Sequence, residues 1–475
     1  MKFLAGLVAG LALIVSVRAE KISLVGGTVI NPGDGRIITN AVLVLDGDTI
    51  ESVAGRKDAE VPAGSRWIDC TGKFILPGYI DTHVHFFQSG GLFTRPDVVD
   101  LNSVRPYADE IAGIKRTLPD TFVRYLRSGI TSVVDIGGPM WNFEVRELAQ
   151  QTAKAPRVAV AAQLISSVAR PQLDLGDPPI VQITTPEDGR ALVRKLAPQK
   201  PDYIKIWYVV TPDSPPEKFR PIVKAVTEES HRLHLRVAVH ATELETARAA
   251  VEEGADLLVH SVTDKPVDEA FVKLMKVRGT ILTPTLVVFE RYSRTFANRL
   301  ELLLEEKAWG NPEVVASLDV TRLPSGKIPD RIKAALEKPE PALERIRETH
   351  AIALKNLKTL HDAGIPIATG TDAGNIGTIP GPSIFREFQL MRAAGLTPMQ
   401  ILQCTTTNGA RTFGGLTGRR LGSIERGQLA DLVILNSSPL DDIARASDIN
   451  AVVKNGVVYP ADTLLLGGTA PATAD

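Results

Sequence analysis

Four of the chain's eight histidines stand where they could act together. His83 and His85 end the run Asp81-Thr82-His83-Val84-His85, and residues two apart on an extended chain project to the same side. His240 closes Arg236-Val237-Ala238-Val239-His240, and His260 closes Leu257-Leu258-Val259-His260. Asp372 ends Ala368-Thr369-Gly370-Thr371-Asp372, with small residues leaving room beneath it. Neutral imidazoles and a carboxylate at the ends of neighbouring strands are ligands for a divalent cation. A lone His-x-His is a weak signal; placing all five groups at strand ends on the inward phase is a strong one.

Lys205 lies in Tyr203-Ile204-Lys205-Ile206-Trp207, whose isoleucines face outward and turn the lysine inward. An ammonium there must find a partner or lose its proton. Beside two cations a neutral amine can react with CO2 to give a carbamate, an anionic bidentate ligand able to bridge metals. A salt bridge to an acid, or a hold on a substrate carboxylate, is the other use of such a lysine.

The elements that must position these groups are legible as a repeat. Apolar segments at 76–85, 130–137, 157–165, 203–209, 236–241, 257–262, 281–288 and 366–372 alternate with helical patterns. Eight such units predict an α/β chain closed as a (β/α)8 TIM barrel over residues 74–420, with its chemistry at the strand C-termini. Residues 20–73 and 421–465 read instead as short strands with tight turns, among them the hairpin signal Lys454-Asn455-Gly456. They predict one small β-sandwich built from both chain ends. A charged helical insertion at 290–349, after strand seven, would emerge at the catalytic face as a lid or substrate wall.

Composition removes other classes. Across 475 residues, 54 Lys plus Arg balance 55 Asp plus Glu, which leaves no basic field for nucleic acid. Cys70 and Cys404 are too few for a thiolate metal site, and the sequence does not show whether they pair. Residues 1–19 read as a signal peptide: Lys2, an apolar run from Phe3 to Val17 shorter than the roughly 20 residues of a membrane span, and a cut after Ala19. A secreted or periplasmic protein without a stable membrane anchor is expected, with homo-oligomerisation left open.

The sequence resembles the amidohydrolase superfamily, in its imidazolonepropionase-related and prolidase-like branch, over nearly all of the mature chain. The matching pieces are LPGYIDTHVH, the strand carrying Lys205, VAVHA, LLVHS, TGTDAG and the returning GSIERGQLADLVIL. The resemblance implies a binuclear centre. His83 and His85 with Asp372 would hold the more buried ion, and His240 with His260 the more exposed one. Carboxylated Lys205 and a hydroxide would bridge them. Zinc is the usual ion, and Asp372 would carry the proton from the nucleophile to the leaving nitrogen. The implied substrate is a small-molecule amide, peptide-like or cyclic; a lactone or ester would suit the same chemistry. A non-catalytic binding protein on a retired barrel would be expected to have lost a ligand, and none is lost. Strand three departs from the prolidase-like pattern, with Leu164-Ile165-Ser166-Ser167 in place of Thr-Gly-Gly-His. Gln163, Trp207, Tyr208, Arg291 and Tyr292 are candidate substrate contacts. His231, His234, His350 and His361 read as structural or solvated, and Asp81 as a supporting group.

Overall fold

The computed structural model describes residues 20–464; the segments at 1–19 and 465–475, which include the expected signal peptide, lie outside them. Two sheet systems divide the α/β chain. The first is an eight-stranded sheet made from both chain ends. Its N-terminal strands are β1 (Ile22–Asn31), β2 (Arg36–Asp46), β3 (Thr49–Gly55), β4 (Arg66–Asp69) and β5 (Phe74–Pro77). The C-terminal strands are β15 (Leu432–Leu435), β16 (Ile449–Lys454) and β17 (Val457–Pro460). Their order is β17-β16-β15-β5-β1-β2-β3, with β4 beside β1.

The two chain ends thus hydrogen-bond into one branched sheet. The cause is β1, which pairs with β4 over Ile22–Val25 and with β5 from Thr28 to Val29. At the changeover Gly26 has φ +87°, and a Cβ there would lie 2.6 Å from Thr71 Oγ1, so the strand can switch partners only with glycine. The Lys454-Asn455-Gly456 hairpin forms as read, with Asn455 and Gly456 both at positive φ.

The second system is parallel. β6 (Tyr79–Val84), β7 (Ile130–Asp135) and β8 (Arg157–Val160) form one sheet. β9 (Leu164–Ser166), β10 (Ile180–Gln182), β11 (Tyr203–Trp207), β12 (Arg236–His240), β13 (Leu257–Val259) and β14 (Ile281–Thr283) form another, in the order β10-β9-β11-β12-β13-β14. Single parallel bridges join them: Ala161 to Tyr203, Leu282 to Ile367, and Val84 to Ala373. Residues 366–373 run between β14 and β6 without forming a continuous strand. On one side Leu282 N donates to Pro366 O and Leu282 O accepts from Ala368 N, and on the other Thr82 N donates to Thr369 O. Gly370 is required where these backbones meet, since a Cβ would come within 2.4 Å of Thr283 and 2.9 Å of the His83 backbone.

All the expected strands are trimmed, and three are also broken within the segment read. The segment 76–85 is split, because Phe74–Pro77 pairs with β1 and β15 in the other sheet. The segment 157–165 breaks after Val160 and resumes as β9. The segment 281–288 stops at Thr283, and a helix begins at Leu286. The insertion is helical, including Asp330–Glu337 and the long Glu340–Asp362 helix. Among the described residues no helix is long and apolar enough to cross a membrane. Cys70 and Cys404 are both buried free thiols, so they do not pair.

Candidate active site

Inside the parallel system the side chains alternate as a strand requires. Ile204, Ile206, Val237 and Val239 belong to the core beneath the helices, whereas Tyr203 and Ala238 belong to a separate interior cluster. Lys205 and His240, in phase with Tyr203 and Ala238, therefore face inward. The other ligand candidates reach the same place by breaking the alternation. Ile80 faces inward but Val84 joins the outer core, and the β6–β7 register slips between Asp81 and Val84, which frees both His83 and His85 for the interior. His260 follows Val259, which is itself inward, so strict alternation would turn His260 out. Its φ of +76° swings it back. Asp372 also sits at positive φ, +60°. The expectation that every group lies on the regular inward phase is corrected at His260: a left-handed residue, and not strand parity, places it.

All six groups line one cavity of 250 Å³. Its floor holds His83, His85 and Asp372 in contact: His83 Nε2 lies 3.3 Å from His85 Nε2, and Asp372 Oδ1 lies 3.3 and 3.1 Å from the two. The His83 ring is 4.9 Å from that of His260, which is 4.4 Å from that of His240. Lys205 is buried and has no hydrogen-bond or ion-pair partner among the described residues.

Burial sets the protonation of the site. It pushes the Lys205 ammonium down to about 7 and His260 to about 3, and holds His83 and His240 well below the usual imidazole range. Burial opposes ionisation of Asp372, but the adjoining His83 and His85 rings outweigh it and hold its carboxyl well below the usual range.

These groups fit metal ions. His85 Nδ1 donates to Gly137 O at 2.7 Å, which fixes the tautomer with the Nε2 lone pair facing the cavity. His260 Nδ1 shares a 2.6 Å hydrogen bond with Thr285 Oγ1. Two ring nitrogens and a carboxylate oxygen just over 3 Å apart repel unless a proton or a cation lies among them, and burial makes His83 a poor holder of that proton. Together with the unpaired Lys205 amine, the donor set suits divalent cations.

Supporting groups surround the floor. Asp81 accepts from Thr371 N, Thr371 Oγ1 and His83 N, tying β6 to the 366–373 segment. Burial raises its carboxyl to about 7. Asn375 Nδ2 donates to Asp372 Oδ1 at 2.7 Å, and Asn375 Oδ1 accepts from Arg95 Nη1 at 2.7 Å and from the Tyr292 hydroxyl. Arg95 is itself clamped by Asp97 through two 2.7 Å bonds. Gln88 is buried in the cavity wall with its Oε1 unpartnered.

Sequence reasoning missed Gln88, Arg95 and Asn375. Only Asn375 left a trace, three residues beyond Asp372 in a turn; the other two sit in an aperiodic loop. Of the expected substrate contacts, Trp207 and Tyr292 line the cavity. Gln163, Tyr208 and Arg291 do not: Gln163 binds Pro178 O, the Tyr208 hydroxyl binds Pro216 O, and Arg291 pairs with Glu306. His231 pairs with Asp256, His350 with Leu286 O and His361 with Asp362, all outside the cavity, as is His234. A larger cavity of 520 Å³ opens beside β8, but holds none of the six groups, and its Arg157 and Lys454 are already bound to Asp431.

Ochratoxinase from Aspergillus niger is 24% identical over 483 residues, covering 93% of this chain and 86% of its own length. Imidazolonepropionase from Pseudomonas paraeruginosa is 27% identical over 414 residues, covering 84% and 88%. The solved structure of A. niger ochratoxinase superposes with a TM-score of 0.69 at 21% identity, over 93% of this chain and 96% of that one. A Xaa-Pro dipeptidase structure with methionine bound in its active site does so at 0.68 and 21%, over 93% and 100%. At that identity the structures speak to the fold. The amidohydrolase family matches residues 74–459. With more than half its length matched, the chain belongs to the amidohydrolase family, whose enzymes act on amide and other carbon–nitrogen bonds.

Proposed function

We propose that the protein is an exported, metal-dependent hydrolase that cleaves an amide bond. Its catalytic unit would be a (β/α)8 barrel over 74–420, with residues 20–73 and 421–465 as a companion sheet domain and 1–19 as a signal peptide. The ring of parallel pairs and bridges that leaves β6 and returns to it through Ala373 supports the barrel. The observation that carries the function is the gathering of six separated groups around one cavity.

Two divalent ions, zinc by ligand type, would be held by His83, His85 and Asp372 on one side and by His240 and His260 on the other, with Lys205 between as its CO2-derived carbamate. Such ions, when bound, lower the pKa of water and polarise a carbonyl. The chain supplies the rest. Burial brings the Lys205 ammonium down to about 7, so near neutral pH a large share is the free amine that reacts with CO2. Asp372, oriented by Asn375, takes the proton of the attacking water at its carboxylate and returns it to the leaving nitrogen. Phe87, Leu164 and Trp207 wall the cavity and exclude bulk water, while the Gln88 amide is free to bond a substrate polar group.

Likeness to proteins named ochratoxinase, imidazolonepropionase and Xaa-Pro dipeptidase supports a peptide-like or cyclic amide. The test is a panel of N-acyl amino acids, Xaa-Pro dipeptides, cyclic amides and lactones. The expected result is amide turnover that a chelator abolishes and a divalent ion restores. Turnover of lactones alone would replace the amide reading with an ester one, and chelator-insensitive turnover would contradict the metal.

A further inference from the structure

The helix Leu286–Phe296 separates the active-site cavity from a second one. Val288, Phe289 and Tyr292 line the inner cavity. Phe289, Ser293 and Phe296, on the adjoining stripe of the same helix, line a groove of 510 Å³ whose other walls are the helices Asp330–Glu337 and Glu340–Asp362. Phe289 belongs to both, and its ring stands 5.8 Å from that of His260. The insertion thus builds a groove that meets the active-site cavity at Phe289.

Two properties of the groove restrict its occupant. Its floor is apolar, from Phe289 and Phe296 to Ala335 and Ile346. Its only charged lining residues are cations: Arg331, Lys338 and Arg345. Arg331 is stacked on Phe296 and bonded to Val98 O, whereas the side chains of Lys338 and Arg345 have no hydrogen-bond or ion-pair partner among the described residues. The inner cavity, at 250 Å³, falls below the roughly 300–1,000 Å³ of sites that enclose a whole small-molecule ligand.

Resting on the hydrolase reading above, we infer that this groove is the outer half of the substrate site, and that the substrate is an amide whose distal part is a long apolar body ending in an anion. The scissile bond lies over the histidines, the apolar chain passes Phe289, and the anion meets Lys338 and Arg345.

The experiment compares the 4-nitroanilide half-amides of succinic and dodecanedioic acid, with the methyl ester of the latter. The long half-amide is expected to exceed the short one in kcat/KM by at least about tenfold, since each buried methylene is worth roughly fourfold. Capping its carboxylate should cost about fivefold. Ala335→Trp, which fills the groove, should bring the long-to-short ratio near unity. The double variant Lys338→Glu with Arg345→Glu changes only exposed side chains and should erase the preference for the free acid. A wild-type ratio near one, or a ratio that both variants leave intact, overturns the inference while leaving the hydrolase standing. If neither anilide is cleaved, the hydrolase reading is the one that suffers. The groove is then read by displacement of the fluorescent anion 1-anilinonaphthalene-8-sulfonate: stronger displacement by dodecanedioate than by succinate, lost in both variants, upholds it, and equal displacement overturns it.

Discussion

At the residue scale the account turns on protons. Asp372 touches His83 and His85 and is bonded by Asn375, so it is placed both to hold an ion and to move a proton. Asp372→Asn is expected to lower kcat by about 10²–10⁴-fold, the range of general acid–base catalysis, while most of the metal stays bound. Steady-state kinetics beside metal analysis of the same sample would check this, and near-normal kcat would refute the role. Lys205 gives a pH prediction for metal-free, CO2-free protein. Burial brings its pKa from 10.5 to about 7, so between those values the unfolded chain binds the extra proton. Stability should therefore rise with pH through that window and be lost as pH falls through about 7. In urea titrations from pH 6.5 to 10, Lys205→Met should flatten that slope; an unchanged slope would mean the amine is not buried as described.

These residues also show how far a sequence carries. His83, His85, His240, His260 and Asp372 were legible because they stand at the ends of strand-like runs, and Lys205 because it interrupts the isoleucines of another. Arg95, Gln88 and Asn375 were not, because loop residues have no periodicity to announce which way they point. His260 was found for an incomplete reason: it ends its run as His240 does, yet Val259 is the inward residue and a positive φ supplies the turn. Backbone sign is not written in a strand pattern.

At the scale of elements, the expected strand at 281–288 failed where an apolar run concealed a change of period. Pro284 cannot donate to a ladder, Thr285 adopts φ +46°, and Leu286 opens a helix. What stabilises that start is remote in sequence. Glu387 accepts from Leu286 N and Val287 N at 3.0 and 2.8 Å, while burial pushes its carboxyl up to about 8. Glu387→Ala should leave two buried donors unmet and cost about 1–3 kcal/mol, measurable by chemical denaturation. Because this helix carries Val288, Phe289 and Tyr292, the same variant should raise KM more than it lowers metal content. A loss below about 0.5 kcal/mol would show the helix start to be held by other contacts.

At the scale of the whole molecule, the repeat of strands and helices was readable from periodicity, and the union of the two chain ends from their shared turn chemistry. The branching at Gly26 was not, since it depends on Thr71 lying against the strand. The two sheet systems are fastened by a buried charge cluster: Asp431, at the entry to β15, binds Arg157 of β8 and Lys454 of β16 at 2.7 and 3.0 Å. Asp431→Ala would strand the Lys454 ammonium in the interior and should destabilise by about 3–5 kcal/mol. A denaturation midpoint close to that of the wild type would show that the cluster does not hold the units together.

The central claim is that six side chains, separated along the chain and joined by the fold, hold a pair of divalent cations. The most direct measurement is elemental analysis of purified protein by inductively coupled plasma mass spectrometry, for the wild type and for Lys205→Ala. About two divalent ions per wild-type chain are expected, with a clear loss when Lys205 is removed. A wild-type protein that takes up no ion even after incubation with zinc, cobalt or manganese would contradict the claim.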